Sequence, residues 1–326
     1  MTKQLASLDH YRNGRFFNPG VPPQSFRKSL KWLTHRRIGT WRDFIVSVPG
    51  DKPPARIAGS DLRVTFVNHA TLLLQTEGHN LITDPIWSNR ASPVQWIGPK
   101  RHRAPGIRVE DLPRIDCILI SHSHYDHLDK ATLRRLLARD RPAVFCPLGV
   151  GKLIRKLGFQ EIHELDWWQD HPWRQLRLHC VPAQHFSSRT LFDWNCSLWC
   201  GWVIECPTGD IYFAGDTGFG KHFAAVAKRF QDLRLALMPI GAYQPEWFMG
   251  CIHMNPEEAV KAQTILGAAT VVGIHFGTFS LADDGETEPT DWLRQVLESA
   301  PEPNSFWILN HGEGRSVPAT VRERIS

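Results

Sequence analysis

The chain has 326 residues and a formal net charge of +5, with 42% hydrophobic and 22% charged residues. That composition excludes intrinsic disorder, and no run approaches the ~18 apolar residues of a membrane-spanning helix. The start, Met1 to Phe17, has no apolar signal-peptide core, and the seven cysteines are odd in number without a Cys-x-x-Cys, so free thiols in a cytoplasmic, reducing compartment are expected.

Charge is uneven from the first residues. Residues 1–60 carry 11 Lys or Arg against 3 Asp, interleaved with Phe16, Phe17, Trp32, Trp41 and Phe44. Cationic and amphipathic side chains together suit the headgroup level of a membrane, so a peripheral membrane contact is expected. The basic arm is compatible with nucleic acid, but it contains no stacking-and-basic motif of a known nucleic-acid reader, and nucleic acid is not an expected partner. Richness in Pro, Gly and Arg with little periodicity predicts an irregular basic arm over residues 1–55, lying on a main body over residues 56–326.

Short strands are predicted at Leu62–Val67, Thr71–Thr76 and Asn80–Thr83, with His69-Ala70 and Glu77-Gly78 in the turns. Asp84-Pro85 ends the third, and residues 86–114 form a connection long enough to suggest a functional loop. The apolar run Ile115–Ile120 reads as a buried strand, followed by a helix over Asp129–Arg139, a strand at Ala143–Cys146 and a helix over Leu148–Leu157. Strands follow at Ile162–Leu165, Leu176–Val181, Leu198–Glu205 and Ile211–Ala214, the last two joined as a hairpin through Pro207-Thr208-Gly209-Asp210. A helix over Phe223–Phe230, a strand at Ala236–Ile240 and a helix over Pro256–Leu266 come next, with Asn255 as N-cap. The pattern closes with a strand at Thr270–Ile274, a helix over Trp292–Ser299 and a strand at Phe306–Leu309.

The 16 histidines pose a metal question that spacing answers. His122-x-His124-x-Asp126-His127 follows the buried strand. In extended chain, His122 and His124 point the same way, and a tight turn brings Asp126 and His127 to a second position nearby. Imidazole nitrogens and carboxylate oxygens are ligands for zinc or a similar divalent ion. Further donors sit at other predicted strand ends: His185 after Leu176–Val181, Asp216 in Ala214-Gly215-Asp216-Thr217-Gly218, and His275 in Gly273-Ile274-His275-Phe276-Gly277. Small and turn residues around them permit close backbone approach.

In motif type and order, from about residue 60 onward, the chain resembles the metallo-β-lactamase superfamily. The resemblance implies an α/β fold, a four-layer αββα sandwich holding two divalent metal ions. By position, His122, His124 and His185 would hold the first ion, Asp126, His127 and His275 the second, and Asp216 would bridge them. More specific words are similar to the N-acyl-phosphatidylethanolamine-hydrolysing phospholipase D family: Thr83-Asp84-Pro85-Ile86, Arg90-Ala91-Ser92-Pro93, Gly98-Pro99-Lys100-Arg101, Glu164-Leu165-Asp166-Trp167-Trp168, Ser187–Leu191, Ile240-Gly241-Ala242-Tyr243, Trp247-Phe248-Met249 and Gly277-Thr278-Phe279. The arm, about residues 1–50, matches far less.

What this implies is a phosphodiesterase acting on a phospholipid at a membrane surface. A metal-bridging hydroxide would attack phosphorus, releasing N-acylethanolamine and phosphatidic acid. Zinc is the expected metal, although the same ligands accept iron or manganese. His253 and Asp126 stand as catalytic candidates, His253 by protonating the leaving oxygen or contacting phosphate. His69 and His311 are candidates to support the ligands, and Asp84 to orient a metal-bound histidine. Trp87, Trp96, Trp247, Phe248 and Met249 are candidates for an acyl channel or a bilayer contact. A homodimer is compatible with the resemblance, which marks no interface. The competing reading is a soluble lactonase, or a small-molecule or nucleic-acid phosphodiesterase, on the same scaffold.

Overall fold

The computed structural model describes residues 8–22, 25–47, 50, 52–299 and 305–319. The outermost part of the basic arm, residues 1–7, lies outside the described residues. The arm was expected to be irregular, but its described part contains a two-stranded hairpin, β1 (Tyr11–Arg12) with β2 (Arg15–Phe16), and the helix α1 (Phe26–Thr34). Ser25 caps α1 by accepting the backbone N–H of Lys28 at 3.3 Å.

A first sheet begins as an antiparallel meander of β3 (Leu62–Asn68), β4 (Thr71–Thr76) and β5 (His79–Thr83). It continues in parallel with β6 (Cys117–Leu119), β7 (Ala143–Pro147) and β8 (Ile162–Leu165), the crossovers made by α2 (Lys130–Asp140) and α3 (Gly151–Lys156). A second sheet repeats the plan. β9 (Asp170–Trp173), β10 (Leu176–Val181), β11 (Gly201–Glu205) and β12 (Asp210–Phe213) are antiparallel, and β13 (Leu233–Pro239), β14 (Thr270–Ile274) and β15 (Phe306–Trp307) add in parallel. The helices α4 (His222–Arg229), α5 (Glu246–Met249), α6 (Pro256–Leu266) and α7 (Glu288–Glu298) belong to this half. A last strand, β16 (Gly314–Ser316), crosses back to pair with β3, so each sheet has seven strands among the described residues.

The alternation of strand residues explains the layers. Cys117, Leu119 and Phe145 face the second sheet, in one core with Leu178, Trp202 and Phe213. Their neighbours Ile118, Val144 and Cys146 face the other way, onto Leu133 and Leu136 of α2. In the second half, Phe223, Ala259, Ala262 and Leu293 cover the sheet from the outer side. The result is the expected αββα sandwich, buried on both faces of its parallel strands.

Helix α6 starts where expected. Asn255 accepts from Glu258 N at 2.9 Å while the Glu258 carboxylate accepts from Asn255 N at 3.1 Å, a reciprocal capping box. Asn255→Ala should therefore lower stability by about 1 kcal/mol with no change in the denaturant slope, measured by urea unfolding.

The arm is fastened to both ends of the body. His10 bonds Asp166 at 2.9 Å and stacks on Trp167 at 4.3 Å between ring centroids. Trp32 stacks on Phe248 and donates its Nε1–H to Asp283 at 3.2 Å; Arg36 pairs with Asp283 at 2.9 Å and Arg42 with Glu286 at 2.7 Å.

Candidate metal centre

Five strands or strand ends of the two sheets open at one edge of the sandwich, and the chemistry collects there. Asp84 follows β5, Ser121 to His127 follow β6, His185 follows β10, Asp216 follows β12 and His275 follows β14. His69 occupies the β3–β4 turn at the same edge. His122, His127, His185, Asp216 and His275 are each at most 3% exposed, and Asp126 is 8% exposed.

One group is a trio of imidazoles. His122 Nε2 lies 2.8 Å from His124 Nδ1, which lies 3.3 Å from His185 Nε2. Nitrogens held ~2.0–2.1 Å from one tetrahedral ion would be about 3.4 Å apart, so the trio has the dimensions of a cation pocket. Its rings are aimed by bonds on their far sides. Ser121 Oγ is 2.8 Å from His122 Nδ1, and His185 Nδ1–H donates to the carbonyl of Ile252 at 3.0 Å. Burial, followed by repulsion from the neighbouring imidazoles, holds His122 well below the usual histidine range. Burial likewise holds His185 well below that range and pushes His124 down to about 4. Three neutral imidazoles face one point, as cation binding requires.

The second group is His127, Asp126 and His275, with His69 beside them. His127 Nε2 is 3.1 Å from Asp126 Oδ2 and 3.0 Å from Asp216 Oδ2, and His275 Nε2 is 3.1 Å from Asp216 Oδ2. Here burial opposes charge on the rings, but the surrounding carboxylates prevail: Asp216 and Asp126 hold His275 up to about 9, and with Asp84 they hold His127 well above its usual value. Without a metal, protons on these rings supply the positive charge that the carboxylates demand. His127 Nδ1 is fixed by buried Asp84 at 2.7 Å, whose other oxygen accepts the N–H of Ser121, also at 2.7 Å.

Asp216 Oδ2 joins the groups, at 3.9 Å from His122 Nε2 and 3.8 Å from His185 Nε2. Buried His127 Nε2, His275 Nε2 and Asp216 Oδ1 have no hydrogen-bond partner among the described residues. Buried polar atoms are rarely left so, and their convergence fits divalent cations. All seven candidate ligands are thus brought together.

The other candidates divide. His253 is in the site, its ring 5.0 Å from that of His185 and 5.2 Å from that of His275, with Nδ1 buried and without a hydrogen-bond partner among the described residues. Burial pushes it down to about 3. His311 stands further back, 3.1 Å from Thr278 Oγ1. Phe248 and Met249 are buried in a small core with Ile252 and Ala282, and Trp87 packs against the core beneath α2, whereas Trp96 is 76% and Trp247 47% exposed.

Some contributors were not among the site residues read from the sequence. Asn18, from the arm, donates to the carbonyl of His185 at 2.8 Å and accepts from Trp199 Nε1 at 2.9 Å. Arg189 lies over the Tyr125 ring at 3.9 Å and donates to the carbonyls of Ser123 and Leu128, bracketing the ligand loop. A cleft of about 300 Å³ runs from His185 between arm and body, lined by Arg12, Phe17, Val21, Phe186, Trp194 and Ile252.

The family model of the Beta-lactamase superfamily domain matches residues 79–276. An uncharacterized protein of Mycobacterium tuberculosis is 38% identical over 331 residues, covering 97% of this chain and 86% of its own. The N-acyl-phosphatidylethanolamine-hydrolyzing phospholipase D 1 of Caenorhabditis elegans is 36% identical over 269 residues, covering 78% of this chain and 75% of its own. Among solved structures, an isothiocyanate hydrolase from Delia radicum gut bacteria is similar in fold, with a TM-score of 0.64 at 23% identity over 79% of this chain and 100% of its own.

Proposed function

We infer the activity from one premise: the chain belongs to the Beta-lactamase superfamily, among relatives that include the nematode phospholipase D. It is a metal-dependent hydrolase, with the buried His and Asp cluster as its centre. The finer reading we propose is a phosphodiesterase of phospholipase D type, cleaving N-acyl-phosphatidylethanolamine to N-acylethanolamine and phosphatidic acid. The observation that carries it is the apolar cleft ending on His185, which suits a substrate joining an acyl chain to a phosphodiester. Arg12 at the cleft wall adds a cation for an anionic headgroup.

His122, His124 and His185 would hold one divalent ion and Asp126, His127 and His275 a second, with Asp216 between. Such ions supply Lewis acidity at the phosphoryl oxygens and lower the pKa of water to about 7. In the overall reaction water oxygen bonds to phosphorus, the bond from phosphorus to the ethanolamide oxygen breaks, and that oxygen takes up a proton. His253 is neutral near pH 7, so it offers an N–H to phosphoryl or leaving oxygen rather than a stored proton. His253→Ala should keep two equivalents of metal and lower kcat by about 100-fold. Unchanged kcat would return His253 to a structural role.

The membrane contact fits the exposed apolar side chains around this edge. Leu191 is 94% and Phe192 86% exposed on the loop after His185, and Leu33 on α1 is 60% exposed. Among the described residues no helix is long and apolar enough to cross a membrane, so the contact we propose is peripheral. The deciding experiment compares N-acyl-phosphatidylethanolamine in mixed micelles with lactones, cyclic nucleotides and small phosphodiesters, on protein of measured metal content. Phosphatidic acid formed faster than any other product supports the reading; turnover confined to water-soluble substrates refutes it.

A further inference from the structure

His69 has an unusual position and two separate grips. It sits in the tight β3–β4 turn with φ of +50°, in the left-handed region. Gly or Asn enters that region with less strain, and a strained residue at a site asks what its side chain does. The residue is 1% exposed.

Its ring Nε2 is 3.0 Å from Asp126 Oδ2, the same oxygen that lies 3.1 Å from His127 Nε2 and 3.5 Å from His275 Nε2. Its backbone carbonyl accepts the N–H of His275 at 2.8 Å, and its own N–H donates to Thr278 Oγ1 at 3.1 Å. The ring lies 4.1 Å from that of His275 and meets Phe279 edge-on at 5.3 Å, which leaves it little freedom to turn. Asp126 belongs to the loop after β6, in the first sheet. His275 follows β14, in the second. One turn residue therefore holds a candidate ligand from each half of the sandwich, both on the same side of Asp216. The imidazole trio of His122, His124 and His185 receives no hydrogen bond from it.

We propose that His69 is the positioning residue of the second cation pocket, its ring fixing Asp126 and its carbonyl fixing His275. The proposal rests on the two-cation reading of the cluster. Bonds behind metal ligands typically change metal affinity by about 10- to 100-fold when removed, and the loss here should be confined to one of two sites.

The test is a Zn2+ titration of metal-free protein against a chromophoric chelator, repeated with Co2+ to follow its absorption bands. Wild type should bind two equivalents. His69→Asn keeps a residue tolerant of positive φ but is too short to reach Asp126; it should bind the first equivalent as wild type does and the second about 10- to 100-fold more weakly. His69→Gln places an amide nitrogen near the position of the ring Nε2 and should recover most of the second affinity. Near-ultraviolet circular dichroism reports whether each variant keeps its packing. An Asn variant that binds both equivalents with wild-type affinity overturns the proposal, as does one that weakens both alike, or a Gln variant no better than Asn. Wild type binding a single equivalent overturns the two-cation reading itself.

Discussion

Asp216→Ala is expected to lower turnover by at least about 1,000-fold, equivalent to about 4 kcal/mol, and to remove bound metal with it. Its Oδ2 lies within 3.9 Å of His122, His127, His185 and His275. Removing that carboxylate separates the two pockets and leaves His127 and His275 facing each other with Asp126 as the near anion. Metal content by mass spectrometry and turnover should fall together; two equivalents of metal with full activity would refute the bridging position. The metal-free protein should also respond. A histidine held up to about 9 in the fold contributes stability that is complete below its unfolded value near 6.5 and fades as pH rises through about 9. The metal-free Asp216→Ala variant should thus melt below wild type at pH 6–7, with the gap narrowing toward pH 9–10 as this contribution fades in wild type.

Asp84→Asn is the second large effect, and it separates charge from shape. Asp84 is fully buried, accepting from His127 Nδ1 and Ser121 N at 2.7 Å each. Asparagine preserves the outline. With the amide oxygen turned to Ser121, the amide NH₂ faces His127, so the imidazole must carry its proton on Nε2, the nitrogen that faces the cation pocket. The expected outcome is about 10- to 100-fold weaker metal binding at that pocket with the fold intact. Wild-type affinity in this variant would show that the tautomer of His127 is set by something other than Asp84.

The donors were legible because they follow short apolar strands, where small and turn residues mark the strand ends; their sharing between two ions was implied by the family resemblance alone. His122, Asp216 and His275 could be placed without knowing which strands are neighbours. The capping of α6 was legible for a local reason, Asn255 and Glu258 being three residues apart. Strand β9 escaped because Asp170-His171-Pro172-Trp173 contains a proline, which only an edge strand tolerates. β16 escaped because Gly314-Arg315-Ser316 has no apolar side chain, its pairing being set by β3 alone. The helix in the arm lacks the surroundings that would make it obvious: Leu30 and Leu33 are exposed, and Trp32 finds Phe248 more than two hundred residues away. Asn18 was invisible for the same reason, since its partners Trp199 and the carbonyl of His185 are neighbours only in space. The apolar words around residues 87 and 248 were legible as apolar, but alternation could not say that Trp87, Phe248 and Met249 turn inward while Trp96 and Trp247 face solvent.

The arm's attachment has a consequence for the order of events during synthesis. Arg42 and Trp32 leave the ribosome well before Glu286 and Asp283, which hold them and are made 244 and 251 residues later. At about 5–20 residues per second that interval is roughly 10–50 s. Throughout it both sheets can be assembling while α1, with Leu30 and Leu33 outward, waits without its seat. Docking of α1 is therefore a late step in the birth of the protein, whereas the part of the arm beside His185, held through His10 and Asn18 by Asp166, Trp167, His185 and Trp199, has its partners by mid-chain.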